Sequence, residues 1–343
     1  MTVMLPSALA QVDELVQPEI RAALERIDER TRLVAGYQLG YWDASGEPAG
    51  RGGKGLRPAL ALLSAQAAGQ PVHRGLPAAV AVELVHNFSL LHDDVIDGDR
   101  ERRHRPTAWA AFGIGPAILA GDAMLSLADE VLADDPDLDV RAGLTTMHTA
   151  VRRLIAGQAA DVAFESRSDV TLDECLAMAR DKTAALLSCS ATLGAVLCGA
   201  PATLVDGLAR YGERLGLAFQ LVDDLLGIWG EPAVTGKPVL ADLRARKKSV
   251  PVVRALTSGG PAGEQLADLY VRPDELSDAD LGLAAALIEE TGARDWTEKQ
   301  ADRLLTEALA ELDRLGEPGT AGDRSGVHAD LVAVAHFMTG RDH

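Results

Sequence analysis

The sequence of 343 residues has few aromatic side chains, few cysteines and a shortage of basic charge. Aromatic residues make up 4% of the chain, whereas alanine and leucine are abundant, which favours close-packed helices over sheets. We therefore predict an all-α fold. The three cysteines have neither a metal-ligand spacing nor a paired framework, so we interpret them as reduced thiols of a cytoplasmic protein.

The shortage of basic residues gives a net charge of −18, which excludes a general attraction to nucleic acid or to anionic membranes. Residues 183–205 carry no charge and are long enough to cross a bilayer. They are nevertheless rich in Ala, Ser, Thr and Gly, so we interpret them as a helix buried in a bundle and expect no membrane span. The first residues lack the features of a secretory signal, and we expect roughly the first 15 to be disordered.

Carboxylates and guanidiniums are concentrated in one short segment, which carries Asp93, Asp94 and Asp97 followed by Arg102 and Arg103. Asp93 and Asp97 share one face of a helix, where like charges repel unless a cation lies between them. Carboxylate oxygens of this kind suit Mg²⁺, which takes its other oxygens from water and phosphate. Arginine forks bind phosphate oxygens. The segment therefore predicts a divalent metal that meets a diphosphate.

A second aspartate pair, Asp223 and Asp224, follows on another apolar helical pattern. A single Asp run is usually a solvated helix face. Two pairs on apolar helices are harder to explain in that way, because half-buried carboxylates are costly unless they are paired or bound to metal. We expect both pairs to lie near helix ends that open onto one central cavity.

These motifs and their order resemble the trans-type isoprenyl diphosphate synthases. The resemblance runs from Gly-Gly-Lys-Gly-Leu-Arg-Pro at 52–58, through both aspartate motifs, to Lys-Lys at 247–248. It implies one domain over residues 1–343 with the isoprenoid synthase type I fold, a helical bundle around a cavity, and a homodimer. It also implies an enzyme that condenses isopentenyl diphosphate head to tail with an allylic diphosphate (dimethylallyl, geranyl or farnesyl).

The resemblance assigns a role to each matching residue. About three Mg²⁺ ions would be held by carboxylates, with the second aspartate of each pair as a weaker ligand or an outer partner. The metal set is Asp93, Asp94, Asp97, Asp223 and Asp224. The set for isopentenyl diphosphate is Lys54, Arg57, His86 and Arg103. The set for the allylic diphosphate is Arg102, Lys182, Lys237 and Lys247. The catalytic set is Lys182, Thr183 and Gln220, of which Thr183 and Gln220 would present oxygen dipoles to the developing cation.

Two positions depart from the family pattern. Gly227 stands where an aspartate is usual, which removes one carboxylate and costs the helix about 1 kcal/mol relative to Ala. Gly55 stands where a basic residue is common. Both departures favour one alternative, a non-catalytic partner of an active synthase. A class I terpene cyclase is a further alternative, although it would leave Lys54, Arg57 and Arg103 without a role.

Product length is expected to depend on Phe88 and Ser89, which lie about one turn before Asp93 on the same helix. A bulky ring at this depth limits a growing hydrocarbon tail by steric exclusion. Phe88, with no insertion in the first aspartate motif, resembles the enzymes that make short chains. We favour the C20 product, geranylgeranyl diphosphate, over the C15 product, farnesyl diphosphate.

Overall fold

The computed structural model describes residues 7–49, 53, 55–102, 104–230, 239–315 and 325–340, and most of these residues are helical. In those ranges the one sheet is a hairpin of strands β1 (Glu101–Arg102) and β2 (Arg105–Pro106). The prediction of an all-α fold is confirmed.

The α-helices in chain order are α1 (Ser7–Gln11), α2 (Gln17–Leu24), α3 (Glu29–Leu39), α4 (Leu56–Ala67), α5 (Leu76–Ile96), α6 (Ala108–Phe112), α7 (Ile114–Ala133), α8 (Val140–Glu165), α9 (Leu172–Ala179), α10 (Ala185–Leu197), α11 (Ala202–Trp229), α12 (Ala241–Arg244), α13 (Val250–Leu256), α14 (Gly260–Tyr270), α15 (Asp278–Glu290), α16 (Ala293–Leu315) and α17 (Ser325–Thr339). The π-helical turns Val12–Val16 and Arg180–Ala184 join α1 to α2 and α9 to α10, and the 3₁₀ turn Val72–Gly75 precedes α5.

Helix boundaries follow local sequence signals. Thr171 begins α9 with a capping box, in which its hydroxyl accepts from the Glu174 N–H and the Glu174 carboxylate accepts from the Thr171 N–H. Ser277 caps α15 in the same way, with Asp280 as its partner. Gly40 ends α3 in the left-handed conformation, with φ of 79°. These ends are therefore specified by side chains within one turn of the boundary.

The chain forms two compact units, each assembled from segments that are distant in sequence. The first draws on residues 1–151, 186–212 and 309–338, and the second on residues 152–185, 213–308 and 339–343. The expectation of one domain over the whole chain stays a prediction.

The N-terminal helices differ from the expectation of disorder over roughly the first 15 residues. Residues 7–15 are helical, and Leu9, Val12 and Val16 are buried in the first unit. Their spacing places them on one helix face, so burial of that face outweighs the entropy of ordering the segment. The expectation of disorder was therefore wrong for residues 7–15.

The interpretation of residues 183–205 as a buried helix is confirmed for α10 (residues 185–197) and is wrong for residues 201–203, which are exposed at the start of α11. Most side chains of α10 lie in the core, and this helix ends before the turn that leads into α11. In the part of the chain that the structure describes, no helix is long and apolar enough to cross a membrane.

Glycine permits a close approach between α10 and α4 in the first unit. A Cβ at Gly194 would lie 2.7 Å from the Ser64 Oγ and 3.0 Å from the Ala65 nitrogen. The Ser64 hydroxyl donates to the Ala61 carbonyl at 2.9 Å, which fixes its place in the contact. The two helices therefore leave no room for a side chain at position 194.

The core of the second unit supports the second aspartate pair. It includes side chains from α8, α9, α11, α13 and α16, among them Phe164, Cys175 and Val253. Leu221 and Val222 belong to the same cluster and immediately precede Asp223 on α11. The backbone that carries the pair is therefore anchored by apolar packing.

Replacing Gly194 by alanine should destabilise the fold by about 1–3 kcal/mol, because the added methyl group meets a neighbouring helix. Gly282 on α15 is a matched control, since a Cβ there would meet no atom within 4 Å. Gly282→Ala should stabilise the protein by up to about 1 kcal/mol, the difference in helix propensity. Thermal unfolding followed by circular dichroism measures both changes. Equal melting temperatures for the two variants would show that the contact between α4 and α10 is not tight.

Candidate active site

The first aspartate cluster lies at the C-terminal end of α5. The Asp97 N–H donates to the Asp93 carbonyl at 2.8 Å, so the two residues are one helical turn apart, as predicted. Asp97 is exposed and Asp93 is partly exposed, whereas Asp94 is buried. The C-terminal end of a helix also carries negative partial charge. This end of α5 therefore attracts cations.

Asp94 is neutralised by Arg102, which the β-hairpin presents. The Nε and Nη2 atoms of Arg102 donate to Oδ1 of Asp94 at 2.8 Å and 2.7 Å. Oδ2 of Asp94 is buried and has no hydrogen-bond partner among the described residues. Burial raises the pKa of the Asp94 carboxyl group, and the Arg102 guanidinium limits that rise. Asp94 is therefore an inner carboxylate, that is, a buried one whose charge is balanced by the protein's own Arg102.

The second aspartate pair repeats this arrangement at the end of α11. Asp223 is exposed, whereas Asp224 is buried. Asp224 accepts from Nε2 of Gln220 at 2.7 Å and from the N–H of Val250, the first residue of α13, at 2.9 Å. Burial raises the pKa of Asp224 to about 6, against the opposing effect of Lys247 and the Val250 hydrogen bond.

Thr183 and Gln220, both predicted to be catalytic, are in direct contact. The Thr183 hydroxyl donates to Oε1 of Gln220 at 2.5 Å, and Gln220 in turn donates to Asp224. The Gln220 amide is thus hydrogen-bonded to two side chains, which fixes its orientation.

Lys182 and Thr183 lie on the π-helical turn Arg180–Ala184, a rare conformation that is frequent at functional sites. The Lys182 ammonium pairs with Asp161 of α8 at 2.5 Å. Gly157, one turn earlier on α8, packs against the backbone of this turn, where a Cβ would lie 2.7 Å from the Lys182 Cα. Glycine at 157 therefore lets the turn and α8 approach closely.

Lys247 is half-buried among carboxylates of the second unit. Burial alone lowers the pKa of the Lys247 ammonium, but the carboxylates of Asp242, Asp224 and Asp223 outweigh burial and raise the pKa above its ordinary value. Lys247 therefore remains charged at neutral pH, as a ligand for phosphate requires.

Three residues near these groups were not assigned a role from the sequence. Asp161 pairs with Lys182, and Asp242 lies against Gly227. Gln158 is buried next to Gly157, and neither polar atom of its side chain has a hydrogen-bond partner in the described part of the chain. Gly157-Gln158 is one of the residue pairs in which the chain resembles the isoprenyl diphosphate synthases, and Asp161 lies about one turn further along α8. That spacing could have identified Asp161, whereas Asp242 gives no sequence signal.

Arg57 and His86, predicted to bind isopentenyl diphosphate, lie together in the first unit. Nη1 of Arg57 is 3.3 Å from Nε2 of His86. Gly55 precedes the first residue of α4 with φ of 66°, a conformation that favours glycine over the basic residue common at this position. The departure at Gly55 thus has a backbone explanation.

Phe88 and Ser89 are buried on α5 in the turn before Asp93. The Phe88 ring packs edge-on against His92, with ring centroids 4.9 Å apart. The His92 ring lies against Gly121 of α7, where a Cβ would be 2.6 Å from its Cδ2 atom. The Ser89 hydroxyl donates to the His86 carbonyl at 2.8 Å. The ring at 88 is therefore held in a fixed place.

Three of the predicted phosphate ligands, Lys54, Arg103 and Lys237, lie outside the described residues. Arg102 is engaged by Asp94, so its role toward the allylic diphosphate stays a prediction. The same holds for the expectation that both aspartate pairs open onto one cavity, because they belong to different compact units.

The donor set fits Mg²⁺ that arrives with phosphate. All candidate ligands are hard carboxylate oxygens, and in each pair the more exposed carboxylate is the first. Across the described residues, no three Asp, Glu, His or Cys side chains converge closely enough to hold a metal ion by themselves. Such a site suits an ion that completes its coordination with water and substrate oxygens.

Comparisons with known proteins agree with this geometry. A model of the family described as polyprenyl synthetase matches residues 43–286. A (2E,6E)-farnesyl diphosphate synthase of Mycobacterium tuberculosis is 50% identical over 97% of this chain and 92% of its own length. A geranylgeranyl diphosphate synthase of the same organism is 42% identical over 95% and 91% of the two chains.

Among solved structures, a polyprenyl synthetase from Streptomyces coelicolor superposes with a TM-score of 0.90 at 46% identity, covering 97% of this chain and 99% of the other. The match therefore extends over both compact units. The chain belongs to the polyprenyl synthetase family, and it is a trans-prenyl diphosphate synthase.

Proposed function

We propose that the protein uses Mg²⁺ to condense isopentenyl diphosphate head to tail with an allylic diphosphate. One observation carries the proposal: in both aspartate pairs the second carboxylate is buried and accepts hydrogen bonds from the protein, whereas the first is more exposed to solvent. Acidic residues that merely form a solvated surface would not be expected to repeat this arrangement at the ends of two helices. Family membership also favours an active synthase over the cyclase and the non-catalytic partner.

In the proposed reaction, the allylic carbon–oxygen bond breaks and diphosphate leaves with the bonding electrons. The double bond of isopentenyl diphosphate then forms the new carbon–carbon bond, and a proton is lost. Bound Mg²⁺ supplies positive charge that stabilises the departing diphosphate. Asp93, Asp97 and Asp223 are the proposed principal ligands, with Asp94 and Asp224 as inner carboxylates that hold their surroundings in place.

The second unit supplies fixed groups for the ionisation step. Lys182 and Lys247 present ammonium groups for the allylic diphosphate, and Asp161 holds Lys182 in position. Because the Thr183 hydroxyl is the donor in its hydrogen bond to Gln220, the lone pairs of its oxygen are available to stabilise a developing carbocation. Such preorganised dipoles stabilise charge without reorganisation during the reaction.

Arg57 and His86 are the proposed ligands of isopentenyl diphosphate, whose phosphate must be held without being ionised. In their contact across α4 and α5 the Arg57 guanidinium donates to Nε2 of His86, which places the two side chains next to each other. Lys54 and Arg103 complete the proposed set. We assign no side-chain base, since the released diphosphate is a sufficient proton acceptor.

For product length we propose geranylgeranyl diphosphate. Of the two positions expected to form the floor, only Phe88 carries a ring, while Ser89 is small and turns its hydroxyl to the backbone. One ring leaves more room for the growing tail than two would. Farnesyl diphosphate is the second candidate, favoured by the 50% identity with a farnesyl diphosphate synthase.

A homodimer is also proposed. Helix α7 exposes several large apolar side chains, including Ile114 at 53% and Leu119 at 63% of their surface. Such a patch is typical of a protein–protein interface. Light scattering of the purified protein measures its mass in solution, and a monomeric mass would contradict this part of the proposal.

Asp93→Asn should lower kcat by about 100-fold or more at saturating Mg²⁺, because one charged ligand for the ion that stabilises the leaving group is lost. The measurement is conversion of labelled isopentenyl diphosphate with geranyl diphosphate as co-substrate. Asp295→Asn, which removes an exposed carboxylate paired with Lys299, is the matched control and should retain full activity. Undiminished turnover by Asp93→Asn would contradict the assigned metal role.

Phe88→Ala should lengthen the product, because removing the buried ring opens the space next to the growing tail. Chain length is measured after phosphatase treatment of the products made from farnesyl and geranyl diphosphates. Phe112→Ala is the control for general loosening, since the Phe112 ring packs edge-on against Tyr37 of α3. An unchanged product distribution for Phe88→Ala would place the floor elsewhere. The wild-type reaction itself decides between C20 and C15.

A further inference from the structure

Gly227 faces another carboxylate in the second unit. A Cβ built at Gly227 would overlap the Asp242 side chain, lying 2.5 Å from its Cγ and 3.0 Å from its Oδ1. The backbone at 227 is ordinary α-helix, so its conformation does not require glycine there. Glycine in a helix interior costs about 1 kcal/mol relative to alanine. What glycine provides at this position is the space that the Asp242 carboxylate occupies.

Asp242 is held in this place by the packing of α12. Its neighbour Leu243 is fully buried in one apolar cluster with Ile228, the residue after Gly227. Leu240, which precedes α12, and Arg246, which follows it, have φ of 62° and 50°, left-handed values that cost a residue with a side chain about 1–2 kcal/mol each. The backbone on both sides of α12 is therefore strained, and the apolar packing of α12 against α11 offsets this strain.

The position of this carboxylate relates it to Asp223. Residues 223 and 227 are one turn apart on the same face of α11, where neighbouring Cβ atoms are roughly 5–6 Å apart. The Asp242 carboxylate lies where a side chain at 227 would begin, and it is buried together with Asp224. The Asp242 carboxylate therefore lies against the side of α11 that also carries Asp223. Together with Asp224, these two carboxylates act on the charge of Lys247 and raise its pKa.

We propose that Asp242 supplies the carboxylate that this chain lacks at position 227, so that Asp223 and Asp242 together hold the Mg²⁺–diphosphate complex at the end of α11. This inference rests on the proposed function and deepens it. The loss of the aspartate at position 227 is then compensated, because Asp242 places a carboxylate next to the same position from α12.

The test is calorimetric titration of the full-length protein with Mg²⁺ in the presence of saturating inorganic diphosphate. Asp242→Asn should raise the Mg²⁺ concentration for half-saturation by about 10–100-fold, the usual effect of losing a supporting group at a metal site. Asp278→Asn is the matched control, because Asp278 is an exposed carboxylate of α15 that pairs with Arg244, a residue on the same short helix as Asp242. It should bind as the wild type does. The double variant Gly227→Asp/Asp242→Gly returns the carboxylate to α11 and should recover most of the affinity.

Several results would overturn the inference. Wild-type affinity in Asp242→Asn is one, and an effect confined to diphosphate affinity at saturating Mg²⁺ is another, because it would assign Asp242 to positioning Lys247. If Asp242→Asn does not fold, judged by circular dichroism, the double variant decides: a folded double variant without Mg²⁺ affinity contradicts the inference. Absence of Mg²⁺-dependent diphosphate binding in the wild type would instead refute the proposed function.

Discussion

The site depends on a division of roles within each aspartate pair. Asp94 and Asp224 are buried and accept hydrogen bonds from the protein. Arg102 donates to one oxygen of Asp94, whereas Gln220 and the Val250 N–H donate to the two oxygens of Asp224. Leaving such groups without partners costs about 1–3 kcal/mol each, or more when they are charged. These hydrogen bonds offset part of that cost. The first carboxylate of each pair is more exposed to solvent and keeps its charge for a cation.

Close approaches permitted by glycine bring the other functional groups together. Gly157 admits the backbone of the π-helical turn that carries Lys182 and Thr183, and Gly121 admits the His92 ring that supports Phe88. Gly227 admits a carboxylate in the same way. At each position the missing side chain is replaced by a group from another element, so the glycines are as much a part of the site as the charged residues are.

Much of this arrangement could be predicted from the sequence, because helical spacing fixes which residues share a face. The single turn between Asp93 and Asp97 follows from that spacing. The resemblance assigned a common role to Thr183 and Gln220 and another to Arg57 and His86, and the structure places the members of each pair in contact. Asp242 could not be predicted, since its place depends on how α12 packs on α11. The pairing of Arg102 with Asp94 was missed for a similar reason, because it depends on how strand β1 packs against the end of α5. Burial of Leu9 and Val12 is likewise a tertiary effect that composition does not reveal.

The exposure of the first carboxylates has a consequence for the order of events. Solvent screens these charges, and the described chain gathers too few ligands to retain an ion alone. In the proposed reaction the ion and the diphosphate share ligands, so each raises the affinity for the other by the same factor. Metal binding would then depend on the concentration of substrate as well as on that of the ion.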